Sequence, residues 1–219
     1  MRKFAAEFIG TFCLVFAGTG AVVINDVSGG AVSHVGIALT FGLVVSGMIY
    51  SVGDISGAHL NPAVTLGFLV ARRFSAKLVL PYLASQCAGA FAASLLLRAL
   101  FTAHPTLGST LPAGSAAQSF ILETVLTGIL MFVILNVSTG AKEKGITAGL
   151  AIGGVIALEA LFAGPICGAS MNPARSLAPA IVSHHIETLW VYLSAPVLGA
   201  VLGVAAFRCV RECPPLSAE

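Results

Sequence analysis

The chain consists of long apolar runs separated by short polar breaks. Six of these runs hold enough consecutive apolar residues to cross a bilayer, because a spanning helix needs about 17–25 residues. They cover residues 4–24, 35–52, 78–101, 118–137, 146–163 and 189–210. The pattern predicts an all-α integral membrane protein with six transmembrane helices.

The same arrangement occurs twice along the chain. Each half has a glutamate inside its first span, Glu7 and Glu123, and each carries the string Gly-Ala-x-x-Asn-Pro-Ala after its second span. A third span then closes the half. Because three is an odd number, the two halves must cross the membrane in opposite senses, as in an inverted repeat. We place the half-repeats at residues 1–103 and 116–213 of a single domain, residues 1–219.

Each Asn-Pro-Ala box is followed by an apolar segment that is too short to cross the membrane. The two segments are residues 64–70 and 177–182. They must enter the bilayer and stop, because a helix rises only about 1.5 Å per residue. Proline fits the first turn of a helix and asparagine caps it. Half-helices are therefore predicted to begin at Pro62 and Pro173, with Asn61 and Asn172 as their N-caps.

The two half-helices are predicted to point their N-terminal ends at one lumen near the midplane. Such ends carry partial positive charge, and short interrupted segments at matching places in two halves indicate a permeation site. Gly57 and Gly168 lack side chains and let the preceding backbone approach this lumen. The boxes themselves are Asn61-Pro62-Ala63 and Asn172-Pro173-Ala174. The sequence therefore predicts a pore.

Composition and charge agree with this topology. The chain is 57% hydrophobic and 9% charged, with a mean hydropathy of +0.97, whereas a soluble domain has about a quarter charged residues. All but two of the 11 basic residues fall on one predicted side, which the positive-inside bias makes cytoplasmic, together with both termini. The exceptions are Arg98 and Arg175. The net charge of +2 reflects this bias and does not indicate a nucleic-acid partner.

The residue types needed for a metal or cofactor site are not grouped in the sequence. The five cysteines have no metal-ligand spacing, and their odd number gives no disulfide framework. The adjacent pair His184 and His185 lies in a predicted outer loop and is interpreted as solvated surface. We expect no metal and no cofactor.

The sequence resembles the major intrinsic proteins, the family of aquaporins and aquaglyceroporins. The resemblance rests on "AEFIGTF" in the first span, on "SGAHLNPAVT" and "GASMNPARS", and on Glu123 in the second half. The wording of the second box, "GPICGASMNPARSLAPAIV", is most similar to the nodulin-like plant intrinsic proteins and their bacterial relatives. The resemblance implies a homotetramer with one pore in each subunit and no energy coupling.

The resemblance also assigns roles to individual residues. It places Asn61 and Asn172 at the pore midpoint as donors to the permeating molecule. It gives a selectivity filter of four positions near the outer mouth: Phe41, Ala160, Ala169 and Arg175. Strict water channels of the family usually have histidine where this chain has Ala160. Two alanines opposite Phe41 and Arg175 predict a wider ring that admits glycerol and small neutral hydroxides such as boric or arsenious acid, with a water-selective pore as the alternative.

Several charged residues allow a second interpretation. Glu7 and Glu123 could form a proton relay, although in the family the matching residues accept backbone N–H groups of the re-entrant loops. A shift of one residue in the fifth span would put Glu159 in the filter. On the favoured alignment it turns away and accepts hydrogen bonds from buried loop backbone. His59 is predicted to line the cytoplasmic half of the pore, where its protonation could gate the channel. Cys167 is a possible target of mercurials.

We therefore expect a passive channel for water and small uncharged solutes that excludes protons and ions. An alternating-access transporter would need a coupling-ion site, for which Glu159 is the one loose candidate. An intramembrane enzyme would need a nucleophile with a base or a cluster of metal ligands, and neither is visible in the sequence. The short loops and the lack of long extensions suggest a prokaryotic plasma-membrane protein.

Overall fold

The structure is a computed structural model that describes residues 1–138 and 142–211, with side chains for 1–138 and 147–211. Its helices are α1 Arg2–Val27, α2 Ser33–Ser56, α3 Pro62–Val70, α4 Ala76–Leu100, α5 Ala116–Val137, α6 Lys142–Cys167, α7 Pro173–Ser183 and α8 Leu189–Val210. The side chains of Lys142 and Lys144, the thiol of Cys213 and the predicted end of the second half-repeat lie outside the described residues.

Six of these helices are long and apolar enough to cross a membrane. They are α1, α2, α4, α5, α6 and α8, which confirms the predicted all-α architecture with six spans and two short helices. With six crossings, both ends of the described chain lie on one side of the membrane, which we call the termini side. We call the other the filter side.

The spanning helices pack in pairs that repeat between the two halves. Helix α1 packs on α4, α5 packs on α8, and α2 packs on α6. All three pairs approach closely at a glycine. A side chain at Gly89 would collide with the backbone carbonyl of Phe8 on α1, and one at Gly199 with that of Thr124 on α5. In a bilayer the hydrophobic effect does not drive helices together, so they associate through close packing, which small residues permit. The small-xxx-small pair Gly199 and Gly203 thus packs within one subunit.

The short helices α3 and α7 begin at the two prolines. They contain 9 and 11 residues, so at about 1.5 Å per residue neither reaches across a hydrocarbon core of about 30 Å. The Asn61 side chain accepts hydrogen bonds from the backbone N–H groups of Ala63 and Val64. Asn172 accepts the matching pair from Ala174 and Arg175. Each half-helix is therefore capped from within its own box.

The fifth span extends further than the sequence indicates. The apolar run was predicted to end at residue 163, before Gly-Pro, but α6 continues through Pro165 to Cys167. Proline has no N–H, so it cannot donate to the Leu161 carbonyl one turn earlier. The structure supplies another donor, because Nε2 of His34 on α2 lies 2.7 Å from that carbonyl oxygen. A tertiary contact thus compensates for the proline.

Candidate functional site

The loops that precede α3 and α7 have the same backbone conformation. Their glycines have positive φ, +88° at Gly57 and +82° at Gly168. The φ angles of Leu60 and Met171, directly before the two asparagines, are also positive, at +52° and +53°. Non-glycine residues rarely adopt this region, and it persists only where the surroundings enforce it. The loops are therefore strained in the same way and require external support.

That support comes from the two buried glutamates. The Glu7 carboxylate accepts the backbone N–H groups of His59 and Leu60 at 2.9 and 2.7 Å. The Glu123 carboxylate accepts those of Ser170 and Met171, both at 2.8 Å. These donors occupy equivalent positions two and one residues before each asparagine. Both glutamates are fully buried, so each carboxylate satisfies loop N–H groups that water cannot reach.

The two asparagines join the loops to each other. Nδ2 of Asn61 donates to the Met171 carbonyl at 2.7 Å, and Nδ2 of Asn172 donates to the Leu60 carbonyl at 2.9 Å. The sequence predicted only donors to the lumen, and the structure uses one N–H of each amide between the loops. An amide NH₂ has two hydrogens, so one donor on each asparagine is left for a molecule in the pore.

A cavity of about 130 Å³ runs past these asparagines. Both Asn61 and Asn172 line it, together with apolar side chains that include Val45, Ile152 and Ile156. Apart from Ser138 and Arg175, the polar side chains of the lining come from the two loops, and the spanning helices contribute mainly apolar side chains. Such a surface offers a single file of molecules few hydrogen-bonding partners of its own.

A second, wider cavity of about 440 Å³ lies on the filter side. The four residues proposed as the filter, Phe41, Ala160, Ala169 and Arg175, all line it. Three of them, Phe41, Ala169 and Arg175, also line the central cavity. The ring therefore lies at the junction between the wide vestibule and the narrow lumen.

The Arg175 side chain is held on two sides. Its Nη1 donates to the carbonyl oxygen of Gly108 at 2.8 Å, and its guanidinium carbon lies 5.0 Å from the centre of the Phe41 ring. An arginine over an aromatic ring gains from the cation–π interaction. The side chain is only 4% exposed, so the carbonyl and the ring fix its position at the pore wall.

The connection between the halves contributes to this wall, which the sequence analysis missed. Residues 101–115 connect α4 to α5, and their Gly108 carbonyl is the partner of Arg175. His104 braces the segment: its Nδ1 accepts the backbone N–H of Leu107 at 3.0 Å, and its Nε2 lies 3.2 Å from Asp26 on α1. No motif marks this segment, because its contribution is a backbone carbonyl that any residue could provide.

A model of the major intrinsic protein family matches residues 1–207 of this sequence. The chain belongs to the major intrinsic protein family. It is 50% identical to Aquaporin NIP1-3 of Oryza sativa over 211 residues, which cover 96% of this chain and 74% of that protein. It is 43% identical to Nodulin-26 of Glycine max over 212 residues, covering 96% and 78% of the two chains. The predicted likeness to nodulin-like proteins is confirmed.

A solved structure shows the same fold. The aquaglyceroporin from Plasmodium falciparum superposes with a TM-score of 0.82 and 29% sequence identity, covering 95% of this chain and 96% of that one. Together with the aquaporin relatives, this likeness identifies the chain as a multi-pass membrane channel for water and small solutes.

The relatives contradict the expected prokaryotic source. Relatives that are 43–50% identical to this chain come from rice, soybean, maize and Arabidopsis. Short loops were a poor guide to the source, because plant proteins match this chain over 96% of its length.

His59 lies on the termini side of the central cavity among aromatic rings. Its ring centre is 4.6 Å from that of Phe68 and 4.8 Å from that of Phe74, and its Nδ1 is 3.1 Å from the Thr65 hydroxyl. Burial lowers the pKa of His59 to about 4. The neutral form therefore dominates near neutral pH, which argues against the gating role considered from the sequence.

We therefore expect that His59 does not make the water permeability depend on pH. The ratio of water permeability at about pH 7.5 to that at about pH 5.5 is expected to be the same for the wild type and for His59→Gln, since His59 is neutral at both values. Stopped-flow shrinkage of proteoliposomes equilibrated at each pH measures the ratio. A pH response that is present in the wild type and absent from the variant would assign a gate to His59.

Glu159 lines neither cavity and is 1% exposed. The structure does not place it in the filter. The hydrogen bonds to loop backbone that were expected are also not seen, because neither carboxyl oxygen has a hydrogen-bond partner within the described residues. Cys167, the last residue of α6, is fully buried, and its Sγ lies 3.5 Å from the Ala163 carbonyl. It faces protein and not the vestibule.

Because the Glu159 carboxyl group has no hydrogen-bond partner within the described residues, we expect that replacing it with an apolar side chain stabilises the protein. Glu159→Leu is expected to raise the free energy of unfolding by about 1–3 kcal/mol, the cost of a buried polar group without a partner. The measurement is thermal unfolding of the purified protein in detergent, with water flux as a check on the pore. A lower melting temperature would mean that Glu159 has a partner that stabilises the fold.

Proposed function

We propose that this channel passes glycerol-sized uncharged solutes as well as water. The observation that supports the proposal is the ring at the junction of the two cavities. Ala160 and Ala169 have only small methyl side chains, and they line the same cavity as the Phe41 ring and the Arg175 guanidinium. A polyol has a carbon backbone that suits an apolar wall and hydroxyls that suit a guanidinium donor. Boric and arsenious acid are smaller, are also uncharged, and have hydroxyls that suit the same donor.

We also propose that the asparagines and half-helix ends exclude protons and cations. The free amide N–H of Asn61 and that of Asn172 would donate to the same passing oxygen. A water molecule held in this way accepts no proton from its neighbour in the file. The N-terminal ends of α3 and α7 and the charge of Arg175 add positive potential to the lumen, which raises the energy of hydronium and other cations.

The assembly and domain organisation are part of the proposal. Residues 1–219 would form one channel domain with half-repeats at 1–103 and 116–213, and four chains would assemble with one pore in each subunit. The matching loop conformations and the paired glutamate braces support the two-half organisation. Blue native electrophoresis and cross-linking of the purified protein would measure the number of subunits.

Reconstitution into liposomes tests the solute range. Stopped-flow light scattering would follow vesicle volume under gradients of sucrose, glycerol and boric acid, with protein-free liposomes as the control. Glycerol and boric acid flux well above that control, without saturation, would support the proposal. Fast water flux with solute flux at the control level would identify a water-selective channel with a tighter ring.

A further inference from the structure

Arg98 is the basic residue that the positive-inside pattern leaves unexplained, and the structure gives it a specific position. It lies in the last turn of α4, on the filter side. Its Nη1 donates to the carbonyls of His104 and Thr102 at 2.7 and 3.0 Å, and its Nη2 donates to the carbonyl of Val182 at 3.4 Å. Val182 lies in the last turn of the half-helix α7.

Arg208 makes the equivalent contact on the termini side. It lies in the last turn of α8, and its Nη2 donates to the carbonyl of Val70 at 2.7 Å. Val70 is the last residue of the half-helix α3. Each arginine thus comes from the final span of one half and reaches the half-helix of the other half, in line with the packing of α4 on α7 and of α8 on α3.

Each arginine donates to a carbonyl at the end of a half-helix that accepts no backbone hydrogen bond from the described part of the chain. The last four carbonyls of a helix have no partner within it. In α3, the backbone N–H groups that follow the helix take three of these carbonyls, those of Gly67, Phe68 and Leu69. In α7, they take the carbonyls of Ala180 and Ile181. Arg208 and Arg98 donate to the next carbonyl in each case, and a cation there also complements the negative end of the helix.

We propose that Arg98 and Arg208 are paired positioning residues that fix the depth of the two half-helices and so of Asn61 and Asn172. The proposal rests on the proposed function, because the asparagines matter only as parts of a conducting pore. Each half-helix is short, so a shift of its outer end moves its asparagine by a similar amount. Each arginine ties that end to a spanning helix of the opposite half, which couples the two halves.

The two positions differ in one respect. Arg208 has one helix-end carbonyl to hold, whereas Arg98 also holds the carbonyls of Thr102 and His104. Those two residues belong to the segment whose Gly108 carbonyl is bonded to Arg175. Loss of Arg98 therefore disturbs both the depth of Asn172 and the filter, whereas loss of Arg208 disturbs the depth of Asn61 alone.

The experiment compares Arg98→Gln and Arg208→Gln in proteoliposomes with equal amounts of protein. We expect each variant to lower the unit water permeability by about fivefold, because small displacements of positioned polar groups are costly. The ratio of glycerol to water permeability should change at least about twofold in Arg98→Gln and stay at the wild-type value in Arg208→Gln. Lys77→Gln, exposed on the termini side, is the matched control for the loss of one positive charge. Glu187→Gln, exposed on the filter side, controls for the loss of a charged side chain there, although of opposite sign.

Lysine variants provide the second test. A lysine ammonium has its three N–H donors on one nitrogen. It can replace the single contact of Arg208, but it cannot reproduce the contacts that Arg98 makes from two separate nitrogens. Arg208→Lys is therefore expected to keep wild-type water permeability, and Arg98→Lys to lose about half or more. The proposal would be overturned if the glutamine variants had the water permeability of the wild type. It would also be overturned if the two lysine variants had equal water permeability. A wild type that passes water but no glycerol would refute the proposed solute range and leave the water comparison valid.

Discussion

Ala160→His is expected to lower glycerol permeability by about tenfold or more, since even one methylene in a fitted site changes discrimination by about tenfold to two-hundredfold. An imidazole at this position would extend from α6 into the wider cavity, which Phe41 and Arg175 also line. It would reduce the width of the ring and replace an apolar wall with a polar edge. Water needs less width and gains a hydrogen-bonding partner, so its permeability should stay within about twofold of the wild type.

Stopped-flow measurements of water and glycerol flux on the same vesicles would check this expectation. Ala160→Val is the matched variant, because it adds volume without a polar group. If size alone excludes glycerol, valine and histidine should reduce its flux alike; if polarity matters, histidine should preserve water flux better. Unchanged glycerol flux in both variants would show that Ala160 does not border the constriction.

Glu123→Gln is expected to abolish folded, conducting protein or to reduce its yield severely. The carboxylate accepts the N–H groups of Ser170 and Met171, which hold the loop in its positive-φ conformation. The glutamine amide would turn an NH₂ group towards one of these donors. Leaving a buried donor unpaired costs about 1–3 kcal/mol, and more where a charged partner is lost. The strain of the loop adds to this cost.

The matched control is Glu159→Gln, the same substitution on the neighbouring helix. Its carboxyl oxygens have no hydrogen-bond partner within the described residues, so yield, thermal stability and water flux should stay near wild-type values. Size-exclusion profiles and thermal unfolding of both variants would be compared with the wild type. Equal losses in the two variants would mean that any carboxyl in this region supports folding, and that the loop contacts of Glu123 are not decisive.

Much of the architecture could be predicted from local rules. Apolar length identifies a span, and the pairing of proline with a preceding asparagine identifies a helix start. These features depend on a few adjacent residues, so the half-helices at Pro62 and Pro173 begin where the sequence indicated. The likeness between the halves was also visible, because Glu7 and Glu123 stand at corresponding places before the two boxes.

Contacts between distant backbone atoms could not be predicted. The Gly108 carbonyl that holds Arg175 comes from a segment that the sequence analysis assigned to neither half. The cross-loop bonds of Asn61 and Asn172 are directed at the carbonyls of Met171 and Leu60, respectively. Every residue has a carbonyl, so a sequence does not mark which one will be used. Arg98 was noticed only as an exception, and its role depends on where α7 ends in space.

The sequence by itself determined that this chain crosses the membrane six times, that it is built as two inverted halves, and that two capped half-helices meet in a pore. Those properties follow from residue type and spacing along one chain. Only the tertiary structure decided how the pore is held: which carbonyls receive Arg98, Arg175 and Arg208, and that Glu159 lies outside the lumen. The reason is that these outcomes depend on the distance and direction between atoms of different helices, which spacing along the chain does not fix.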